Sequence, residues 1–381
     1  MASLYDTIVL GVGGVGSAAL YHLARRGQRV LGIEQFEPVH ARGSSHGQTR
    51  LIRQAYYEHP DYVPLLKRAY ALWDELSAER GLQLLHRVGV LQVGKRDGQI
   101  IPGVLASARE HDLDVEELSQ SEVEARFPGF RVPEPLTAVF EARAGYLLVE
   151  ECVRAHIELA LRHGAEFRSR EAVLGWRSDG TDVAVETGQG VVRARSLIVT
   201  AGAWSAGLLR DLEIPLLVTR KPLYWYSAPA ELYDQTRGCP GFIYETALGN
   251  FYGFPRIDEL GLKVAEHSGG EVVANPIEVD RSPHADETAR VEQFLQTCLP
   301  GVSRVGTHFD VCLYTLSPDR KFVVDRHPQH PQVSFVAGLS GHGFKFASVL
   351  GEALADLAQH GSTPLPIGFL GCTRPELQRI S

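Results

Sequence analysis

Four clusters in this 381-residue chain have residue types and spacings that chemistry can use. The first is Gly11-Val12-Gly13-Gly14-Val15-Gly16, a G-x-G-x-x-G pattern. Glycines there let the backbone turn tightly and approach a pyrophosphate, whose charge then sits at a helix N-terminus. Glu34 follows where an acid can accept bonds from a ribose 2′-hydroxyl. Together they point to a dinucleotide; the acid disfavours NADP and leaves FAD and NAD open. The second cluster, Gly43 to Arg53, sets His46, Arg50 and Arg53 among small residues. Arginines beside a cofactor clamp a carboxylate through paired charge-assisted bonds, although a solvated basic loop has the same composition. The third is Gly341-His342-Gly343-Phe344-Lys345-Phe346. Read as a glycine-flanked helix start, it presents bare N–H groups and a positive dipole end, which suits the pyrimidine edge of a flavin, or it is a plain cap with an exposed lysine. The fourth is dispersed. Cys312, alone in an apolar run, reads by itself as a small core residue. Lys263 and His267, four apart on an alternating run and so facing the same way, read as surface residues.

Positioning these groups requires a particular order of elements. Thr7–Leu10 reads as a strand, Ser17–Arg26 as a helix and Arg29–Ile33 as a second strand, which is a βαβ unit around the glycine turn. Asp61–Arg80 has apolar residues at helical spacing, and a further amphipathic helix spans Glu151–His163. From Phe167 the period becomes two: Ala172–Trp176, Asp182–Thr187 and Val191–Arg195 read as short strands. Ser196–Thr200 is an apolar strand running into Ala201-Gly202-Ala203-Trp204, a turn placed to open onto a ligand. Lys221–Ser227 and Phe251–Phe254 read as strands of a more aromatic sheet, and Thr288–Leu299 as a helix stopped by Pro300-Gly301. Val333–Ala337 is a strand and Phe344–Gln359 a helix. Strand, glycine loop and helix thus recur at both ends of the chain. The expected fold class is α/β: a discontinuous Rossmann-type nucleotide domain (1–85, 146–215, 311–381) with an inserted α+β domain (86–145, 216–310) on a mainly antiparallel sheet.

Composition narrows the partners. A net charge of −8, with 44% hydrophobic and 22% charged residues, describes an ordinary globular protein and opposes a general affinity for nucleic acid or anionic membrane. Five scattered cysteines form no C-x-x-C pair and no metal-ligand spacing, so neither a disulfide framework nor a metal is expected. The opening Met-Ala-Ser-Leu-Tyr-Asp lacks a basic segment, and no stretch is long enough to span a bilayer. A cytoplasmic protein is expected.

Taken together, the segments resemble the monomeric sarcosine oxidase family, which includes N-methyltryptophan oxidase. The resemblance covers nearly the whole chain. It rests on Gly11–Gly16, His46-Gly47-x-Thr49-Arg50-x-x-Arg53, Tyr252-Gly253-Phe254-Pro255, Lys263 with His267, Cys312-x-Tyr314-Thr315 and Gly341–Phe346. It implies FAD, tied through its 8α-methyl to the sulfur of Cys312, with His46 and Arg50 beside the flavin and Arg50 assisting the linkage. It implies further cofactor contacts from Ser44, Thr49, Val173, Gly202, Trp204, Gly341, Gly343, Phe344 and Lys345. Arg53 and Lys345 would hold a substrate carboxylate, Tyr252, His267 and Gly341 would line the substrate pocket, and Lys263 would stand where oxygen is reduced. The implied activity is oxidation of a secondary amino acid, such as an N-methyl amino acid, to an imine that hydrolyses, with O2 reduced to hydrogen peroxide by a monomer. Alternatives are a D-amino-acid or glycine oxidase, a flavin enzyme of cyclic imino acids such as pipecolate or proline, a dehydrogenase using another acceptor, or a nicotinamide dehydrogenase. Ser45 and Gln48 depart from the family pattern, where a second histidine and an acid are common. Ile243–Leu248 and Arg256–Leu260 depart further and should border the pocket.

Overall fold

The computed structural model describes residues 4–378; Met1 to Ser3, part of the N-terminal reading, lie outside the described residues. Tyr5–Leu10, Val30–Ile33 and the upper half of Gly190–Val199 are apolar runs without alternation. Strands of this kind are covered on both faces, and these pair in parallel, with Val9 opposite both Gly32 and Ile198. Val333–Ala337 joins in parallel beside Leu197–Val199, and Glu166–Arg168 closes the other edge. The segments 191–195 and 196–200, expected as two strands, are one: no glycine or proline interrupts Arg195-Ser196, so the chain runs straight from an antiparallel meander into the parallel sheet.

Helix Gly14–Arg25 starts three residues before the expected Ser17. Gly14 to Gly16 are its first turn, so the glycine motif is itself the helix N-terminus. Gly16 is irreplaceable there, since a Cβ would lie 1.9 Å from the Gly11 carbonyl oxygen. The expected helix 344–359 begins with a 3-10 turn, Phe344–Phe346, and becomes α-helical over Ala347–His360. It packs on Gly14–Arg25 so closely that a Cβ on Gly351 would stand 2.5 Å from that of Ala18.

The second sheet has eight strands: Gly306–Leu316, Leu217–Tyr226, Leu262–Glu266, Gly249–Phe254, Gly241–Thr246, Val90–Gly94, Thr137–Glu141 and Glu116–Leu118, in that spatial order. Every pairing is antiparallel except that of Gly241–Thr246 with Val90–Gly94. A small sheet of Thr49–Ile52, Gly145–Leu148 and Leu85–His86 lies beside it. The boundary drawn at 310/311 falls inside the Gly306–Leu316 strand, which reaches from this sheet to the cofactor side. The Ala285–Cys298 helix begins three residues earlier than expected, taking Asp286 and Glu287 into its first turn, where acids favour the helix dipole. No helix among the described residues is long and apolar enough to cross a membrane.

Replacing Gly351 by leucine should separate the two packed helices. Overpacking of this kind costs about 1–3 kcal/mol, read as a lowered denaturation midpoint; an unchanged midpoint would mean the contact is looser than its geometry.

Candidate active site

A cavity of about 430 Å³ opens at the carboxyl ends of the parallel strands, the usual ligand position in such sheets. It runs from the Gly11–Gly14 turn to the second sheet at Tyr252 and His267. At its first end Glu34 is buried and accepts from the Val12 N–H (2.9 Å) and the Phe36 N–H (3.1 Å), which fixes the turn. Gly11 has φ +81°, and a Cβ there would meet the Thr200 carbonyl oxygen at 2.7 Å. The helix carries no side-chain cap at Gly13, and Gly14 N–H donates to Ser45 Oγ (3.0 Å). Trp204 Nε1, Thr315 Oγ1 and Arg53 Nε are buried without a partner among the described residues, and all three residues line the cavity. A glycine cradle, a helix N-terminus with no side-chain cap at Gly13 and unpaired polar atoms along a continuous cavity fit an extended dinucleotide.

Cys312 occupies the middle, buried on the Gly306–Leu316 strand. Arg50 Nη2 stands 3.2 Å from its sulfur and also donates to the Ser44 carbonyl (3.0 Å). Ser44 Oγ donates in turn to the Leu313 carbonyl (2.6 Å). His46 is buried behind this loop, with Nδ1 2.9 Å from Asp310 Oδ2 and Nε2 3.1 Å from the Gly43 carbonyl. Ser44, Arg50, Val173, Gly202, Trp204, Gly343 and Phe344 line the cavity; Gly16, His46 and Thr49 lie behind its wall. Lys263 and His267 diverge despite their spacing. His267, one residue past its strand, lines the cavity. Lys263 Nζ turns onto the 47–49 backbone, donating to the carbonyls of Gly47 and Thr49 (2.9 Å for the latter). Burial, with the Arg50 charge alongside, holds its ammonium well below the ordinary lysine range. Neither is a surface residue: Lys263 is buried, and so are Cys312 and Lys345.

At the far end Arg53 lies against the rings of Tyr56 and Tyr57, 4.6 Å from each centroid, and pairs with Glu58 at 2.7 Å. Lys345 Nζ donates to the His342 carbonyl (2.8 Å) and is 3.5 Å from Tyr56 Oη. Two cations and one carboxylate thus share a buried corner. His267 Nδ1 is 3.3 Å from Tyr314 Oη, which is 3.5 Å from Tyr252 Oη. Gly341, at φ +82°, leaves room for the Tyr314 ring, which a Cβ would approach to 2.3 Å. Burial above all, then the nearby Lys221, pushes the His267 imidazolium down to about 3, so the ring is neutral at pH 7. Sequence reasoning missed Glu58, Tyr57 and Asn250; of the two segments expected to border the pocket, Ile243 lines the cavity and none of Arg256–Leu260 does. An acid five residues after Arg53 looks in sequence like any surface glutamate, and only the fold reveals its partner.

Outside the cavity, Asp211, His327 and His330 are close enough to share an ion. His327 Nδ1, however, accepts from the Gln329 N–H (3.2 Å), which puts the ring proton on Nε2 and closes that nitrogen to a metal.

The carboxylate corner makes a pH prediction. Burial, then the Arg53 charge, lowers the Lys345 ammonium to about 7. An anion binding there favours the charged form, so its affinity is fullest below pH 7 and weakens as pH rises through 7, by up to about tenfold per unit. Calorimetric titration of a small carboxylate between pH 6 and 9 should show this slope, and Lys345→Met should flatten it. A wild-type affinity independent of pH would place the anion elsewhere.

Known proteins share this architecture. Residues 6–357 match the family model described as FAD dependent oxidoreductase. A monomeric sarcosine oxidase of Streptomyces avermitilis is 41% identical over 374 residues, covering 97% of each chain. An N-methyl-L-tryptophan oxidase of Citrobacter koseri is 39% identical, covering 94% of this chain and 96% of its own. Among solved structures, NikD, an amino acid oxidase essential for nikkomycin biosynthesis, superposes with a TM-score of 0.85 at 25% identity over 97% of both chains. The glycine cradle, the cavity and these matches carry one conclusion: the chain belongs to the FAD dependent oxidoreductase family.

Proposed function

We propose that this protein oxidises the C–N bond of N-methyl amino acids and passes the electrons to O2, giving hydrogen peroxide. The observation that carries this reading is one continuous cavity with a dinucleotide cradle at one end and, at the other, a cationic corner beside a neutral imidazole. When bound, FAD supplies the two-electron acceptor for the substrate carbon. The chain's residues do the rest. Arg53 and Lys345 neutralise and orient the carboxylate, a constraint that sets the N-methyl carbon in one place. Before substrate arrives, Glu58 holds Arg53, and the incoming carboxylate competes with it for the guanidinium. His267, with Tyr252 and Tyr314, presents neutral polar atoms to the amine and so favours the free base, the form that reacts, over the ammonium. Loss of hydride from the methyl carbon and of a proton from nitrogen leaves an imine. Water hydrolyses it to formaldehyde and a primary amine.

Cys312 is the anchor for a covalent flavin, and Arg50 Nη2, 3.2 Å from the sulfur, orients it. Lys263 serves the oxygen step: a Cβ added at Gly47 would lie 3.8 Å from both Lys263 Nζ and Arg50 Nη1, so its amine and the Arg50 cation cluster where an anion forms as oxygen takes an electron. The protein acts as a cytoplasmic monomer, consistent with its five free cysteines.

An absorption spectrum before and after acid precipitation, followed by peroxide assay with N-methyl amino acids in air, tests this reading. A yellow pellet and near-stoichiometric peroxide are expected. A yellow supernatant removes the covalent link, and flavin reduction without peroxide makes the enzyme a dehydrogenase. Lys263→Met should slow flavin reoxidation by on the order of 100-fold while sparing reduction by substrate; equal losses in both half-reactions would refute its role.

A further inference from the structure

One buried cation is used by none of the steps above. Lys221 lies on the Leu217–Tyr226 strand directly opposite Cys312 and is 2% exposed. Its three N–H bonds go to three successive carbonyls: His267 (2.8 Å), Ser268 (2.7 Å) and Gly269 (2.5 Å). The 267–270 turn wraps round it, and a Cβ at Gly270, whose φ is +109°, would come within 3.0 Å of Lys221 Cε. The ammonium also lies 5.2 Å from the centroid of the Tyr314 ring, whose hydroxyl meets His267 Nδ1. Among the described residues no carboxylate bonds to it: Glu266 is taken by Arg290 and Glu287 by Arg220. Burial lowers this lysine to about 8, so it is charged at neutral pH.

Three donated bonds from one nitrogen require an ammonium. An ammonium also places a positive charge beside the imidazole that the turn carries. We propose that Lys221 is a positioning residue for amine oxidation: it fastens the turn that delivers His267 to the cavity, and its charge reinforces the burial that keeps that ring an unprotonated acceptor for the substrate amine. The role given to His267 rests on the proposed function; the contact between Lys221 and the turn does not.

The groups facing His267 come from several elements. Lys221 stands on its own strand, His342 and Lys345 come from the C-terminal turn, Glu58 from the loop after Arg53, and the hydroxyls of Tyr252 and Tyr314 from their strands. Lys221, His342 and Lys345 oppose protonation when charged, and Glu58 favours it. His342 is itself held down to about 4 by burial, so near pH 7 the cations acting on the ring are Lys221 and Lys345.

The test is an NMR titration of the His267 ring in the FAD-loaded protein from pH 4 to 8, with the signal assigned by its loss in His267→Gln. Lys221→Gln keeps hydrogen-bond donors and removes the charge; Lys221→Arg keeps both. The Gln variant should titrate within this range while wild type and the Arg variant stay neutral across it, since removing a unit charge beside the ring raises its midpoint by about two units in a partly screened site. In the Gln variant, the pH below which substrate ceases to reduce the flavin should rise in parallel, with the high-pH reduction rate retained. A Gln variant titrating like wild type would overturn the electrostatic role and leave only a tied turn. The titration needs no turnover. A shifted ring in a protein inert to N-methyl amino acids would therefore support the Lys221 contact and count against the substrate reading alone.

Discussion

The fastening of the 43–50 loop to the Cys312 strand is the interaction on which the rest of the site depends. Ser44 Oγ bonds the Leu313 carbonyl, His46 meets Asp310, and Arg50 reaches the Cys312 sulfur. These contacts join residues more than 260 positions apart in the chain and hold the two sheets against one cavity. Arg281 adds a further tie, donating to the carbonyls of Ala41, Arg42 and Val311. Without this seam the glycine cradle and the cationic corner would belong to separate walls, and no ligand could engage both.

The seam also explains how an acidic protein builds a positive interior. Arg50, Arg53, Lys221, Lys263 and Lys345 gather round the cavity of a chain whose net charge is −8. Removing a charge from water is costly unless its bonds are replaced. Here most replacements are backbone carbonyls: two for Lys263, three for Lys221, one for Lys345 and two for Arg50. Carbonyls satisfy the donors without neutralising the charge, so the field remains available to an incoming anion. Arg53 is the exception, paired with Glu58 and set against two tyrosine rings. It is the cation whose partner a carboxylate could replace directly.

Acid–base properties follow from the same burial. Desolvation leads in lowering His267, His342 and Lys345, and the clustered cations lower each further. The His267 imidazole is therefore an acceptor at neutral pH, while Lys345 sits close to its own midpoint. One side of the cavity offers a neutral hydrogen-bond acceptor, and the other a cation whose charge varies with pH near neutrality.

The sequence alone determined what depends on local order. The G-x-G-x-x-G turn, the acid ending the next strand and the helix after Gly343 are set by residues adjacent in the chain, because turn geometry and helix dipoles are local. Their boundaries shifted by about three residues, since Gly14–Gly16 and Phe344–Phe346 adopt turns that neighbours beyond the segment decide. The short strands at 90–94, 116–118 and 137–141 gave no comparable signal: their pairing, not their pattern, makes them a sheet. Cys312, Lys263 and Lys345, read one at a time, suggested core or surface, and resemblance was needed to suggest more. Only the tertiary structure decided that Glu58 pairs with Arg53, that His46 and Lys263 stand behind the cavity wall, and that Lys221 grips the turn of His267. Each depends on contacts across the seam between sheets, and a charge's environment is set by what is folded against it rather than by what precedes it in the chain.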